Sequence, residues 1–161
     1  MSRSLLFVCL GNICRSPAAE GVMLQHLTDN GYDGKVFVDS AGTAGYHCGE
    51  PADARMRAAA ERRGYRLESR ARQLEPADIV RFDLIIGMDR ENFSNIQRMV
   101  HGPAPHIRML SDFLPGEDWP RDVPDPYYGG DAGFEQVLDM LEAACPAIVS
   151  ELMVIAASGR E

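Results

Sequence analysis

No apolar run in the 161-residue chain approaches the length needed to cross a bilayer. Near the start, Arg3 is followed only by Leu5–Leu10 before Gly11 and Asn12 intervene, too short a stretch for the core of a secretion signal. The expectation is a cytoplasmic chain with no membrane partner. The cysteines are Cys9, Cys14, Cys48 and Cys145, with no Cys-x-x-Cys pair among them. His47-Cys48 is the nearest approach of two ligand types, and adjacent residues make poor co-ligands. A structural zinc site is therefore not expected, nor is any metal or cofactor, and in a reducing compartment the four should be thiols. Lysine is almost missing: Lys35 is the only one, which reads as coding bias rather than function. The net charge of −8 argues against nucleic acid as a partner. It leaves room for a local positive cradle. There is no repeat, low-complexity tract or second domain, and residues 1–161 read as one domain large enough for a core of its own.

What is present concentrates in Ser4–Ala19. Leu5–Val8 is apolar and short, as a buried strand would be. Ser16-Pro17 then looks like a helix start, because serine caps well and proline suits the first turn. The unit is strand, tight loop, helix, with Cys9 and Arg15 bracketing five residues of loop. Backbone N–H groups at a helix start lack intrahelical partners, and the helix dipole favours an anion there. Gly11 and Asn12 both tolerate the left-handed backbone that a tight N–H nest requires. Arg15 adds a planar fork for two phosphate oxygens. Cys9 would lie beneath the anion's central atom, where all these groups favour negative charge on sulfur and so a nucleophile. Taken singly, Cys9 could be a core residue and Arg15 a surface one. The combined pattern in this context points to a catalytic oxyanion loop.

The rest of the chain alternates strands and helices. A helix over Pro17–Asn30, with Val22, Leu24 and Leu27 inward, leads to a strand at Val36–Asp39 and a glycine-rich loop at Ser40–Gly45. A second helix is expected at Pro51–Arg63, then irregular chain over Arg66–Asp78 with a helical turn at Pro76. Phe82–Gly87 reads as a strand covered on both faces. Asp89 is placed to cap a helix over Arg90–Val100, and Ile107–Leu110 is a short fourth strand. Ser111–Gly130 is a proline-punctuated loop long enough to suggest function. Asp131–Ala157 is the last helix, with Phe134, Val137, Leu138, Leu141, Cys145, Ile148 and Leu152 on one stripe and Pro146 expected to kink or split it. This order predicts an α/β fold: a parallel sheet with helices on both faces and its site beyond the strand C-termini.

Thiolate attack on a phosphomonoester needs a proton donor for the leaving oxygen. His26, His47, His101 and His106 sit in no telling context. Asp118, Asp122 and Asp125 are all available on the long loop, and Asp125-Pro leads by little, since Asp-Pro also marks turns. Tyr127 and Tyr128 either pack or wall an aryl slot that would exclude water.

Cys9-Leu-Gly-Asn-Ile-Cys-Arg-Ser-Pro17 is similar to the signature loop of the low-molecular-weight protein tyrosine phosphatases. The resemblance continues at Asp39-Ser-Ala-Gly42, Gly87-Met-Asp89 and Asp125-Pro-Tyr-Tyr-Gly129, in the family's order over essentially the whole chain. It implies a three-layer αβα, Rossmann-like fold with a four-stranded parallel sheet. It also implies hydrolysis of phosphotyrosine through a phosphocysteine at Cys9, with Arg15 on the phosphate and Asp125 as general acid and then base. By the same resemblance Tyr46 takes an aromatic wall position, with Leu10 and Ile13 at the base of the slot. Asn12 would tie to Ser40 and hold the loop, unless Ser40 serves only its own turn, while Ser16 would donate to the Cys9 thiolate. Asp89 would orient a tyrosine hydroxyl on the Asp125 loop or simply cap its helix. Ser69 stands where many relatives carry histidine, which leaves the outer support of Asn12 open. Cys14 suggests a reversible disulfide with Cys9. Expected partners are phosphotyrosine proteins, such as a bacterial tyrosine kinase, and the expected state is a monomer.

Three competing readings share the loop. Phosphoarginine phosphatases usually carry threonine where this chain has Ile13. Thiol-linked arsenate reductases relay electrons through further cysteines after the third strand, and residues 70–100 contain none. A silent phosphate-binding module would not need Cys9, Arg15 and Asp125 together.

Overall fold

The computed structural model describes residues 3–157. Four parallel strands, β1 (Arg3–Cys9), β2 (Val36–Gly42), β3 (Leu84–Gly87) and β4 (Ile107–Met109), form one sheet in the order β2-β1-β3-β4. Five helices join them: α1 (Arg15–Asp29), α2 (Ala54–Arg62), α3 (Pro76–Arg81), α4 (Arg90–Gln97) and α5 (Asp131–Ala157). Short 3-10 turns lie at Leu110–Phe113 and Pro126–Tyr128. The three-layer α/β expectation holds.

The central strands explain why their sequence is continuously apolar. Along β1, Leu5, Phe7 and Cys9 point into one core and Leu6 and Val8 into the other. On β3, Leu84 and Ile86 join the first core and Ile85 the second. A strand covered on both faces must be apolar at every position. The first core is filled by α1, α2 and α5, whose predicted stripe from Phe134 to Leu152 is buried throughout. The second is closed by Ile79 of α3, by Phe82 at its end and by Ile96 of α4. No helix among the described residues is long and apolar enough to cross a membrane.

Several local expectations change. Leu24 is exposed, and Met23 takes the inward place on α1. Ser40–Gly42 belongs to β2 rather than to a loop. The strand continues to Gly42 because Ser40, Ala41 and Gly42 pair with Phe7, Val8 and Cys9 of β1; Gly42 also donates to the Arg72 carbonyl and accepts from Leu74, which draws the 72–74 segment alongside. The third strand starts at Leu84, because Phe82 ends α3. Helix α5 runs through Pro146 as one element. Pro146 lies on the exposed side, where solvent can replace the missing backbone bond.

Candidate active site

Strand β1 is central, with β2 on one side and β3 on the other, so its C-terminal end lies where the chain's crossovers diverge. Cys9 is its last residue, and residues 10–14 turn directly into α1. The helix begins at Arg15, so Ser16 lies inside its first turn and is not its cap. That frees the Ser16 hydroxyl, whose Oγ sits 2.9 Å from Cys9 Sγ. The Asn12 backbone N–H donates to the same sulfur at 3.3 Å.

Asn12 has φ 58°, the only positive φ at a non-glycine position among the described residues. Asparagine tolerates this region better than most residues, and here the side chain is also anchored. Its Nδ2 donates to Ser16 Oγ (2.7 Å) and Ser40 Oγ (3.0 Å), while its Oδ1 accepts from the Arg72 backbone N–H (2.9 Å). Ser16 Oγ therefore accepts from Asn12, and its own proton faces Cys9 Sγ at 2.9 Å with the Ala41 carbonyl as a second acceptor at 3.4 Å. Ser40 in turn donates to Glu20 at 2.6 Å, and Ser69 bonds to Glu20 as well. The support of Asn12 that Ser69 left open thus runs through Glu20 and the Arg72 backbone. Burial raises the Glu20 carboxyl above its ordinary value, against the hydrogen bonds from Ser40 and Ser69. Neither Glu20 nor Arg72 stands out in the sequence, because their contacts come from other elements.

Gly11 does not adopt the left-handed conformation expected of it. A Cβ there would meet the His47 ring at 3.1 Å. At Gly42 a Cβ would lie 2.7 Å from the Leu10 carbonyl, so the end of β2 presses on the loop backbone.

Arg15 is buried, with Nη1 2.6 Å from Asp89 Oδ2 and 3.1 Å from the Val123 carbonyl. Its Nη2 lies 3.6 Å from Asp125 Oδ2. Burial works against its charge, but Cys9, Asp89 and Asp125 outweigh this and hold the guanidinium protonated. Asp89 also caps α4 by accepting from Asn92 N at 2.7 Å, so it both caps the helix and orients Arg15. The Tyr128 side chain lies outside the described residues, and with it one possible partner for Asp89.

Of Asp118, Asp122 and Asp125, only Asp125 lines the cleft. Val123 N donates to the Met88 carbonyl at 3.0 Å, which pins the loop beside β3 and brings Asp125 over Arg15. Asp122 is turned away to pair with Arg90 at 2.9 Å. The cleft has a volume of about 170 Å³, with Cys9, Leu10, Gly11, Ile13, Cys14 and Arg15 at its base and Tyr46, His47, Asp125 and Tyr127 around it. His47 is the wall residue the sequence does not reveal, although its position next to Tyr46 is a signal. Its ring centroid lies 6.4 Å from that of Tyr127, tilted by 44°, and its Nδ1 is 3.2 Å from Glu50. All four cysteines are unpaired, and burial pushes the Cys14 thiol up to about 12. Among the described residues no group of three or more His, Cys, Asp or Glu could hold a metal.

The chain is similar to known proteins over nearly its whole length. Residues 4–155 match the family model for low molecular weight phosphotyrosine protein phosphatase. The low molecular weight protein-tyrosine-phosphatase of Streptomyces coelicolor is 41% identical over 93% of this chain and 93% of its own. The human low molecular weight phosphotyrosine protein phosphatase is 37% identical over 93% of this chain and 96% of its own. A solved protein tyrosine phosphatase from Entamoeba histolytica superposes with a TM-score of 0.89 at 40% identity, covering 99% of this chain and 100% of that one. With Cys9 and Arg15 in the geometry of a phosphate loop, the chain belongs to the low molecular weight phosphotyrosine protein phosphatase family.

Proposed function

We propose that this phosphatase hydrolyses aryl phosphates, phosphotyrosine in proteins foremost, by two displacements at phosphorus. The observation that carries the reading is the convergence of Cys9, Ser16, Arg15 and Asp125 on one cleft. The loop N–H groups and Arg15 hold the phosphate oxygens, and their fixed positive ends stabilise the charge that builds up at phosphorus. The Cys9 sulfur attacks, an S–P bond forms, and the P–O bond breaks. Its electron pair goes to the phenolic oxygen, which takes the proton of Asp125. In the second half a water attacks phosphorus while the Asp125 carboxylate takes its proton. The S–P bond breaks, and the Ser16 hydroxyl stabilises the departing thiolate.

Tyr46, His47 and Tyr127 make a slot for a flat ring. Ile13 offers a guanidino group no hydrogen bond, which favours phosphotyrosine over phosphoarginine. The substrates are phosphoproteins, a bacterial tyrosine kinase being one candidate, and the chain acts as a single cytoplasmic domain and a monomer. Cys14, five residues from Cys9, closes a reversible disulfide after oxidation.

Phosphate release from matched phosphotyrosine, phosphoserine and phosphoarginine peptides tests this. Phosphotyrosine should be preferred, Cys9→Ser should be inactive, and Asp125→Ala should be slower by about 10²–10⁴-fold, the usual contribution of a general acid. A preference for phosphoarginine would overturn the weight placed on Ile13.

A further inference from the structure

In the turn that carries Asp125, both Asp125 and Tyr127 are exposed. One exposed cation nevertheless links it to the nucleophile loop. Asp53 N donates to the Ile13 carbonyl at 2.8 Å, so the start of α2 is tied to the loop that holds Cys9. The Asp53 carboxylate caps α2 and also takes the Arg55 fork, Nε at 3.2 Å and Nη2 at 3.1 Å. The same Nη2 donates to the Tyr127 carbonyl at 3.0 Å. The guanidinium lies over the Tyr127 ring at 5.4 Å and over the Phe134 ring of α5 at 5.0 Å. Tyr127 N then donates to Asp125 Oδ1 at 3.1 Å, and Asp125 Oδ2 returns to Arg15 at 3.6 Å. The path is closed: Ile13, Asp53, Arg55, Tyr127, Asp125, Arg15.

We infer that Arg55 is a positioning residue, strapping the 126–128 turn to the phosphate loop so that the Asp125 carboxyl is held over Cys9; this rests on the reading of Asp125 as general acid. Arginine suits the task because one planar group offers its edge to a carboxylate, an N–H to a carbonyl and its face to two rings. A lysine cannot do all three. The side chain is 45% exposed, and exposed ion pairs add little to stability. Its effect should therefore appear in catalysis, where small displacements of a proton donor are costly.

The test measures kcat/KM, which covers binding through expulsion of the leaving group, for para-nitrophenyl phosphate and phenyl phosphate. Phenol leaves poorly without a proton, whereas nitrophenol needs little help. The chains compared are native, Asp125→Ala, Arg55→Lys, Asp53→Asn and the double variant Arg55→Lys/Asp125→Ala, with inhibition by inorganic phosphate as the readout of the loop itself. Asparagine caps a helix as well as aspartate does, so Asp53→Asn weakens the strap and spares α2. Arg55→Lys should lose about tenfold on phenyl phosphate and under about threefold on the nitrophenyl ester, with phosphate inhibition unchanged. Asp53→Asn should show the same selectivity to a smaller extent. The double variant should be no slower than Asp125→Ala, because both changes disable one proton transfer. Equal losses on both esters, or an added loss in the double variant, would overturn the strap while leaving Asp125 in place. If Asp125→Ala itself shows no leaving-group selectivity, the general-acid reading falls and the strap with it.

Discussion

Arg15 Nη1 and Asp89 Oδ2 are 2.6 Å apart, although the residues lie 74 positions apart in sequence. The contact fixes the plane of the phosphate-binding fork from the end of β3. Asp89→Asn keeps a good cap for α4 but removes the charge that aligns Arg15. Its melting temperature should stay near native, while kcat/KM for an aryl phosphate falls about tenfold, the equivalent of about 1.4 kcal/mol. Steady-state kinetics beside a thermal melt separates the two. Unchanged kinetics would mean that the Asp89 charge does not align Arg15.

Glu20 makes stability pH-dependent with a defined sign. Its folded carboxyl is raised above the unfolded value near 4.5, chiefly by burial. The folded state therefore binds its proton more tightly, and the contribution of Glu20 to stability falls as pH rises from below 4.5 through the folded value. Glu20→Gln should be least favourable relative to native near pH 4.5 and gain on it towards pH 7. Melting temperatures of both proteins across that range check this, and parallel curves would contradict it.

Cys14 is a thiol held protonated at neutral pH by burial and by the nearby Asp53 and Cys9, with its value pushed up to about 12. It should resist alkylation while Cys9 reacts, and inorganic phosphate should protect Cys9. After mild peroxide, Cys14 should instead attack oxidised Cys9, giving a Cys9–Cys14 disulfide that a thiol reductant reverses. Peptide mapping by mass spectrometry distinguishes these outcomes. Irreversible sulfonic acid at Cys9 with Cys14 untouched would sink the disulfide.

Gly42 has no room for a methyl group because a Cβ would lie 2.7 Å from the Leu10 backbone oxygen. Gly42→Ala should cost about 1–3 kcal/mol of stability, as overpacking usually does. It should also lower activity by shifting the loop that surrounds Cys9. Denaturant unfolding and phosphate release on the same protein test both parts.

The phosphate loop is legible in the sequence because it is local: Cys9 to Pro17 carries nucleophile, turn, cation and helix start in one run. The buried strands are legible as short continuous apolar runs, and the α5 stripe by its helical period. Contacts across the fold are not. Arg72 reaches Asn12 by its backbone, His47 packs against Gly11, and Arg55 reaches Tyr127 across 72 positions, so none of them leaves a pattern in neighbouring residues. Asp125 stands between. Asp118 and Asp122 are nearby on its loop, and in the fold what brings Asp125 to the cleft is Val123 pinned to Met88. The extension of β2 to Gly42 is hidden for the same reason, since it rests on pairing with Phe7, Val8 and Cys9, more than thirty positions away.

The most direct test is to look for the S–P bond. Asp125→Ala mixed with a phosphotyrosine peptide and quenched in acid within one turnover should carry phosphate covalently on Cys9, identified by mass spectrometry of the peptide holding residues 9–15. No label should form in Cys9→Ser, which should release no phosphate. Phosphate release by Cys9→Ser at a rate near native, or a label on another residue, would contradict nucleophilic catalysis by Cys9 and the account built on it.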